Sequence, residues 1–259
     1  MPNAFRAIRT TIASLWMWTL LIVLVVIVTP FNVLWRIFGA PFDPVNYYGG
    51  RLFRLLGVFI VTFTPRWRFD VRGAPPPDPR LPYVVIANHE SFADMLLLCH
   101  LPWEMKWLSK ASIMKVPMFG WLMWAVRDIP VHRGLASSAR AAMAECRDRL
   151  SKRASVMMFP EGTRSKTSEM LPFKDGAFRL AIEAGVPILP LALFGTRNAI
   201  AKHDWRINTS HAVVEILAPE PTAGLTLADI PALKERLRLR IGEARDRLRD
   251  ELAREPLRR

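Results

Sequence analysis

The sequence predicts an α/β fold, a mostly parallel sheet flanked by helices, preceded by an N-terminal pair of membrane-associated helices. Three observations carry that expectation. From Phe69 onward, short apolar runs rich in β-branched residues alternate with helical stretches, the pattern of strands joined by crossover helices. Ahead of residue 65 the apolar runs are longer than strands and poor in charge. Polar residues arrive together where two of the strand-like runs end, the place where open α/β sheets carry their sites. The chain is therefore divided at residues 1–64, a membrane-associated helical segment, and 65–259, the α/β domain.

Composition sets bounds on function. Half of the 259 residues are hydrophobic (51%), mean hydropathy is +0.15, and the formal net charge is +13. That charge suits nucleic acid, an anionic membrane or phosphorylated substrates. No RNA-binding or helix-turn-helix signature accompanies it, so a nucleic-acid partner is not expected. The two cysteines, Cys99 and Cys146, lie far apart and outside any C-x-x-C pattern, which argues against structural disulfides and a cysteine zinc site and is consistent with a reducing compartment.

Residues 11–29 are uncharged and follow Arg6 and Arg9. At roughly nineteen residues the run is at the lower end for crossing a bilayer, and Pro30 is expected to end its helix. A cleaved signal peptide is the competing reading, but no small-x-small pattern follows Val28 and the apolar character continues. Trp16 and Trp18 suit an interfacial belt, and the preceding arginines favour a cytoplasmic N-terminus. Residues 31–42 are apolar apart from Arg36 and are broken by Pro41 and Pro44. A second helix is expected over 47–63, with Leu52, Leu55, Leu56 and Phe59 at helical spacing and Arg51 and Arg54 off that face or snorkelling. Such a pair either spans as a hairpin or lies in one leaflet; the residues leave both open.

Residues 67–71 alternate as an edge strand, and a stiff Pro-rich connector follows at 74–79. Residues 83–87 read as a buried strand. It runs into Asn88-His89-Glu90-Ser91-Phe92-Ala93-Asp94. On one continuous helix His89 and Asp94 would diverge by about 140°. They meet only if His89 occupies the turn and Asp94 the first helical turn, where the carboxylate would hold the imidazole while its other nitrogen takes a proton. The competing reading is an S-x-x-D capping box at Ser91 and Asp94. No G-x-S-x-G elbow surrounds Ser91, and Ala93 stands where H-E-x-x-H would need histidine, so neither a serine nucleophile nor zinc is expected.

A helix over 95–101, a strand over 103–108, a turn and apolar helix over 116–121, and a strand over 127–131 follow. An Ala-rich helix is expected over 136–150 with Ser137 or Ser138 near its start. The strand-like run 155–158 then leads into a second polar heptad, Phe159-Pro160-Glu161-Gly162-Thr163-Arg164-Ser165. A helix over 177–184 is stopped by Gly185. The apolar strand 186–193 carries prolines, which places it at an edge or a bulge. Residues 196–209 read as loop and 213–217 as a late strand. A final helix over 230–253 has Leu237, Ile241, Ala244, Leu248 and Leu252 on one stripe. Its other face, arginines among acids, reads as solvated, with contact to anionic lipid the alternative.

The two heptads resemble the N-H-x-S-x-x-D and F-P-E-G-T-R-S blocks of the 1-acylglycerol-3-phosphate acyltransferases within the glycerolipid acyltransferase superfamily. The family's second block, K-x2-L-x6-G-x12-R, is matched at Lys110, Gly120 and Arg133, with Ile113 in place of leucine; its fourth, V-P-I-x-P, stands at 186–190. The resemblance implies an α/β acyltransferase domain behind a monotopic helical pair. The expected reaction moves an acyl group from acyl-CoA or acyl carrier protein to the hydroxyl of 1-acylglycerol 3-phosphate, with no cofactor and no acyl-enzyme. It implies His89 as base, Asp94 as its partner, and Glu161, Gly162, Thr163 and Arg164 at the glycerol phosphate. Glu161 would orient Arg164 or bind a glycerol hydroxyl. Arg133 and Lys110 would add positive charge, Lys110 serving either the phosphate or the oxyanion. Residues 116–121 would line an acyl groove or simply pack in the core. The resemblance leaves open another acceptor, such as lyso-ornithine lipid or glycerol 3-phosphate. A non-enzymatic basic membrane-binding protein is the reading outside the family. The expected location is the cytoplasmic face of a membrane.

Overall fold

The computed structural model describes residues 2–165, 167, 169–201 and 204–255. It begins with one long helix, α1 (Pro2–Phe38). Pro30 lies inside α1 rather than ending it. The ring removes one N–H, but Thr29 Oγ1 donates to Val25 O at 2.6 Å and Asn32 Nδ2 to Val28 O at 3.3 Å. Side-chain bonds of this kind and flanking packing keep a proline-containing apolar helix whole. The break comes instead in the turn that holds Pro41 and Pro44. There Asp43 accepts from the backbone N–H groups of Tyr47 and Tyr48 and so starts α2 (Tyr47–Thr62).

The remaining elements are β1 (Trp67–Arg72), β2 (Val84–Ala87), α3 (Asp94–Leu98), β3 (Met105–Lys110), a 3-10 turn (Ala111–Lys115), α4 (Phe119–Ala125), β4 (Ile129–Val131), α5 (Ala136–Ser151), β5 (Ser155–Met158), α6 (Gly176–Ala184), β6 (Ile188–Phe194), α7 (Thr196–Ala199), β7 (Ser210–Ile216) and α8 (Ile230–Arg254). The strands form a seven-stranded sheet in the order β1-β7-β6-β2-β5-β3-β4. Every pairing is parallel except β6 with β7. β3 sits two residues later than the sequence suggests, because residues 101–103 belong to the turn after α3. Within the expected loop over 196–209 the chain instead forms α7 and an Ile200–Ile207 bridge.

Both faces of the central strands are covered, which is why β2 and β5 are buried at every position rather than alternating. Val85, Ala87, Met157 and Leu191 share one core with Leu97, Leu98, Met17 and Ile60. Val84, Ile86, Val156 and Met158 face the other way, onto Cys146 of α5, Phe178 of α6 and Leu237 and Ile241 of α8. Each fully buried aliphatic chain contributes about 1.5–3 kcal/mol relative to exposure. α1 and α2 therefore pack as part of the sheet's own layer, and the division at residue 64 does not separate two cores.

Pro190 resolves the edge-or-bulge alternative. β6 lies inside the sheet, between β7 and β2. Its partners step from Ile216 opposite Leu191 to Glu220 opposite Ile188, three residues on one side against four on the other. The partner strand bulges beside Pro190, whose carbonyl accepts from Leu217 N at 3.0 Å.

Arg54 neither snorkels nor lies off the packed face. It is 4% exposed, and its Nη2 donates to Asp128 Oδ1 at 2.7 Å and to Met105 O at 3.1 Å, with Glu104 alongside at 3.4 Å. Lys106, also buried, donates to Glu104 Oε1 and Asn46 O, both at 3.0 Å. This cluster ties α2 to β3 and to the start of β4, and a buried pair of this kind is far costlier to break than to form. Arg51 likewise turns inward, to Leu101 O at 2.8 Å.

Candidate active site

Four neighbouring parallel strands deliver the candidate residues to one end of the sheet. His89 follows β2, Glu161 to Arg164 follow β5, Lys110 ends β3 and Arg133 follows β4. These strands are adjacent in the order β2-β5-β3-β4, so residues up to 75 positions apart in sequence converge at their C-terminal ends.

His89 occupies the turn and Asp94 the first residue of α3, the arrangement the spacing demanded. His89 Nδ1 lies 2.7 Å from Asp94 Oδ2, with both side chains buried. The same oxygen accepts from Glu90 N at 2.8 Å and Ser91 N at 3.0 Å, while Asp94 Oδ1 accepts from Thr196 Oγ1. Three donors at Oδ2 define it as an acceptor, so Nδ1 carries its proton toward Asp94 and Nε2 keeps a lone pair. Turn closure and the bond to the imidazole thus coincide in one carboxylate: Asp94 both closes the turn and orients the His89 ring. Ser91 is a structural hydroxyl, donating to Ile200 O at 2.9 Å and accepting from Ala93 N at 3.2 Å.

Three partners of the dyad lie beyond the reach of sequence spacing. Phe159 stacks on the imidazole with ring centroids 4.0 Å apart. Asn88 exchanges two bonds with the backbone of Leu193, at 2.8 and 2.9 Å, pinning the turn to β6. Thr196, at the start of α7, holds the far oxygen of Asp94. Phe159 and Asn88 stand inside the two heptads, so their positions were visible although their contacts were not; nothing in the sequence marks Thr196.

Glu161 is placed differently from the roles the resemblance implied. It is 3% exposed, Oε1 accepting from His89 N at 2.7 Å and Oε2 from Leu171 N at 2.9 Å. Burial raises its pKa, and these two N–H bonds, with His89, pull the other way. Its carboxylate braces the two heptads against each other and faces neither Arg164 nor the cavity. Gly162 adopts φ +73°, and a Cβ there would press on Lys174 as well, so the turn requires glycine.

A cavity of about 320 Å³ opens beside the dyad, lined by His89, Lys110, Arg133, Thr163 and Arg164 on its polar side. Among the described residues none of these three cations has a carboxylate within ion-pair distance. Arg133 is shifted below the ordinary guanidinium range, first by burial and then by Arg164 nearby. Two guanidiniums that repel each other, with an ammonium and a hydroxyl beside them, form a receptor for an anion with several oxygens. The apolar side of this cavity, Phe92, Met95, Trp107 and Ile113, continues into a second cavity between α2 and α4 lined by Phe53, Leu56, Phe119 and Met123. Phe119, inside the segment 116–121 expected either to line a groove or to pack in the core, does both, lining this cavity and packing against the cluster of Leu122 and Val126. The site thus joins an imidazole held by a carboxylate, a cluster of cations and an apolar channel.

Comparison with known proteins places the chain in a family. The acyltransferase family model matches residues 68–194. Human 1-acyl-sn-glycerol-3-phosphate acyltransferase alpha is 37% identical over 173 residues, covering 66% of this chain and 61% of that protein. The Arabidopsis thaliana chloroplastic 1-acyl-sn-glycerol-3-phosphate acyltransferase is 31% identical over 88% of this chain and 61% of its own length. The chain therefore spans about three fifths of several curated relatives it matches. The crystal structure of the 1-acyl-sn-glycerophosphate acyltransferase of Thermotoga maritima superposes with a TM-score of 0.78 at 24% identity, over 97% of this chain and 99% of that one, and so shares the fold. Human 1-acyl-sn-glycerol-3-phosphate acyltransferase beta is 34% identical over 72% of this chain and 69% of that protein. On that likeness, spread over more than two thirds of both chains, the protein belongs to the 1-acyl-sn-glycerol-3-phosphate acyltransferase family.

Proposed function

We propose that the protein transfers an acyl group from a thioester, acyl-CoA or acyl carrier protein, to the free hydroxyl of 1-acylglycerol 3-phosphate, giving phosphatidate. The observation that carries this reading is one cavity that holds His89, Lys110, Arg133, Thr163 and Arg164 and opens into an apolar channel. The cations receive the phosphate, the channel takes an acyl chain, and the imidazole meets the hydroxyl between them. His89 Nε2 removes the hydroxyl proton as the oxygen attacks the thioester carbon. Asp94 stabilises the imidazolium through Nδ1–H. The tetrahedral oxyanion then expels the thiolate, which takes the proton back from Nε2. Lys110, at the end of β3 and on the cavity wall, supplies charge for either the phosphate or the oxyanion. Proton and acyl group are balanced between substrates, and no redox equivalent is consumed.

The membrane part of the reading rests on α1, whose stretch Ala7–Phe38 is long and apolar enough to cross a bilayer by length and composition. Its attachments to the rest of the chain favour an in-plane position. Arg66 bonds Thr10 at one end, Trp18 Nε1 donates to Trp205 O midway, and Arg36 donates to Trp124 O at the other. These points span roughly 39 Å at 1.5 Å per residue. A helix docked along that length cannot cross the bilayer without carrying polar parts of the sheet domain into it, so it lies in one leaflet with its exposed face, including Ile12, Trp16, Val23 and Ile27, toward lipid.

The test is an assay of purified protein in detergent or liposomes with labelled lysophosphatidate and either acyl-CoA or acyl carrier protein thioester, wild type beside His89→Ala. Phosphatidate from wild type alone is expected, together with loss of turnover on acceptors lacking phosphate. Equal product from both proteins would remove His89 from the mechanism. Product only with a phosphate-free acceptor would overturn the assignment of the basic wall.

A further inference from the structure

The face of α4 that turns away from the cavity is left largely exposed by the described residues, with Arg36 of α1 at its edge. Its inner residues, Leu122 and Met123, are buried, while Trp121 and Trp124 stand 61% and 50% exposed. Lys115, Val116 and Pro117, just before the helix, are exposed as well. We infer that this outer face of α4 is a second membrane-contact element, separate in sequence from the N-terminal helices and seated on a phospholipid surface.

Continuity with α1 identifies lipid as the occupant. The guanidinium of Arg36 lies 4.0 Å from the centre of the Trp124 ring and donates to Trp124 O at 3.0 Å. Around Arg36, the exposed side chains Leu34, Trp35, Ile37 and Phe38 extend the lipid-facing stripe of α1 up to α4. Thr29, about two turns before Arg36 in α1, reaches Met118 O at 3.5 Å. The two faces therefore form one apolar surface, with paired exposed tryptophans and flanking Arg36 and Lys115. That combination suits the headgroup boundary, where indoles prefer to sit and cations meet anionic lipid. A water-facing protein surface rarely carries so continuous an apolar patch. The consequence reaches the site: Phe119 and Met123 on the inner side of α4 line the apolar cavity, so seating the outer side in lipid sets that cavity at the depth of the acyl chains.

This inference rests on the membrane reading above, and the experiment separates the two. Tryptophan emission of the full chain is recorded on vesicles of phosphatidylcholine and phosphatidylglycerol, with and without lipid brominated near the top of the acyl chain. Wild type is compared with the Trp121→Phe, Trp124→Phe double variant, whose rings keep the surface apolar. The difference between the two emissions isolates Trp121 and Trp124; what remains includes Trp16, Trp18 and Trp35 of α1. Quenching of both components by the brominated lipid is the expected result. Quenching of the remainder with an unquenched difference signal would overturn the role of α4 and leave α1 in the membrane. Absence of quenching in both would overturn the membrane reading and this inference together.

Discussion

The turn that holds His89 and the wall that holds Arg133 and Arg164 border the same cavity, yet they are built in opposite ways. The turn is buried, and its polar atoms are spoken for: Asp94 takes four donors, Asn88 exchanges two bonds with Leu193, and Glu161 takes two backbone N–H groups. The wall is drawn from the ends of three other strands, and Lys110, Thr163 and Arg133 are exposed. A proton-transfer group must be fixed before substrate arrives, because geometry is what it contributes. A charge receptor is better left hydrated and adaptable until its anion displaces the water. The difference predicts that the two regions fail differently when damaged.

The largest effects belong to the turn. His89→Ala and Asp94→Ala should each lower kcat by about 10²- to 10⁴-fold, the range for a positioned acid–base group. Their stabilities should separate. Asp94→Ala strands the N–H groups of Glu90 and Ser91, at about 1–3 kcal/mol for each buried donor left unmatched, whereas His89→Ala strands neither. Asp94→Asn keeps an oxygen where Oδ2 stands, so it should recover most of the stability and only part of the rate. Thermal melts beside steady-state kinetics check this. If Asp94→Asn melted as low as Asp94→Ala, the turn would not be organised by these acceptors.

How much of this was visible beforehand follows the same divide. The turn was legible because its residues are neighbours: the spacing of His89 and Asp94 permits one geometry after a strand, and the structure has it. The covering of the sheet was legible from the unbroken apolar run of β2. Contacts between distant segments were not. Nothing local foretells that Thr196 completes Asp94, or that Glu161 turns inward to His89 N instead of outward to ligand. Pro30 misled because helix propensity is a local rule, while α1 is held by packing along its length. Arg54 misled for the related reason that its partners, Glu104 and Asp128, lie 50 and 74 positions away.

The wall should show a smaller, purely functional loss. Arg164→Ala and Arg133→Ala should each raise KM for the phosphorylated acceptor by roughly 10- to 100-fold, the worth of a hydrogen bond to a charged group. Stability should stay within about 0.5 kcal/mol of wild type, since neither side chain is buried in the core. Lys110→Ala sharpens the contrast: a rise in KM alone assigns it to the phosphate, and a fall in kcat with KM unchanged assigns it to the oxyanion. Kinetics at varied acceptor concentration with parallel melts measure all three. A fall in melting temperature comparable to that of Asp94→Ala would erase the distinction between wall and turn.

The smallest effect on activity concerns Glu90, a residue of the turn whose charge is poorly matched to its surroundings. Burial, and then the neighbouring carboxylate of Asp94, lift the pKa of Glu90 from 4.5 to about 7, against the pull of Arg197 and Arg245. A carboxyl raised on folding binds more protons in the native than in the unfolded chain across that interval, so its contribution to stability is full below pH 4.5 and is lost as pH rises through 7. Glu90→Gln removes this titration. The variant and wild type should have the closest stabilities near pH 4.5, and by pH 8 the variant should gain relative to wild type, by a few kcal/mol at most given roughly 1.4 kcal/mol for each pH unit crossed. Because Glu90 lies outside the cavity lining, KM for the acceptor should not follow this change. Denaturant melts at pH 4.5, 6 and 8 measure it. A stability difference independent of pH would mean that Glu90 is solvated like the residues of the wall, and that the turn tolerates a charge its packing argues against.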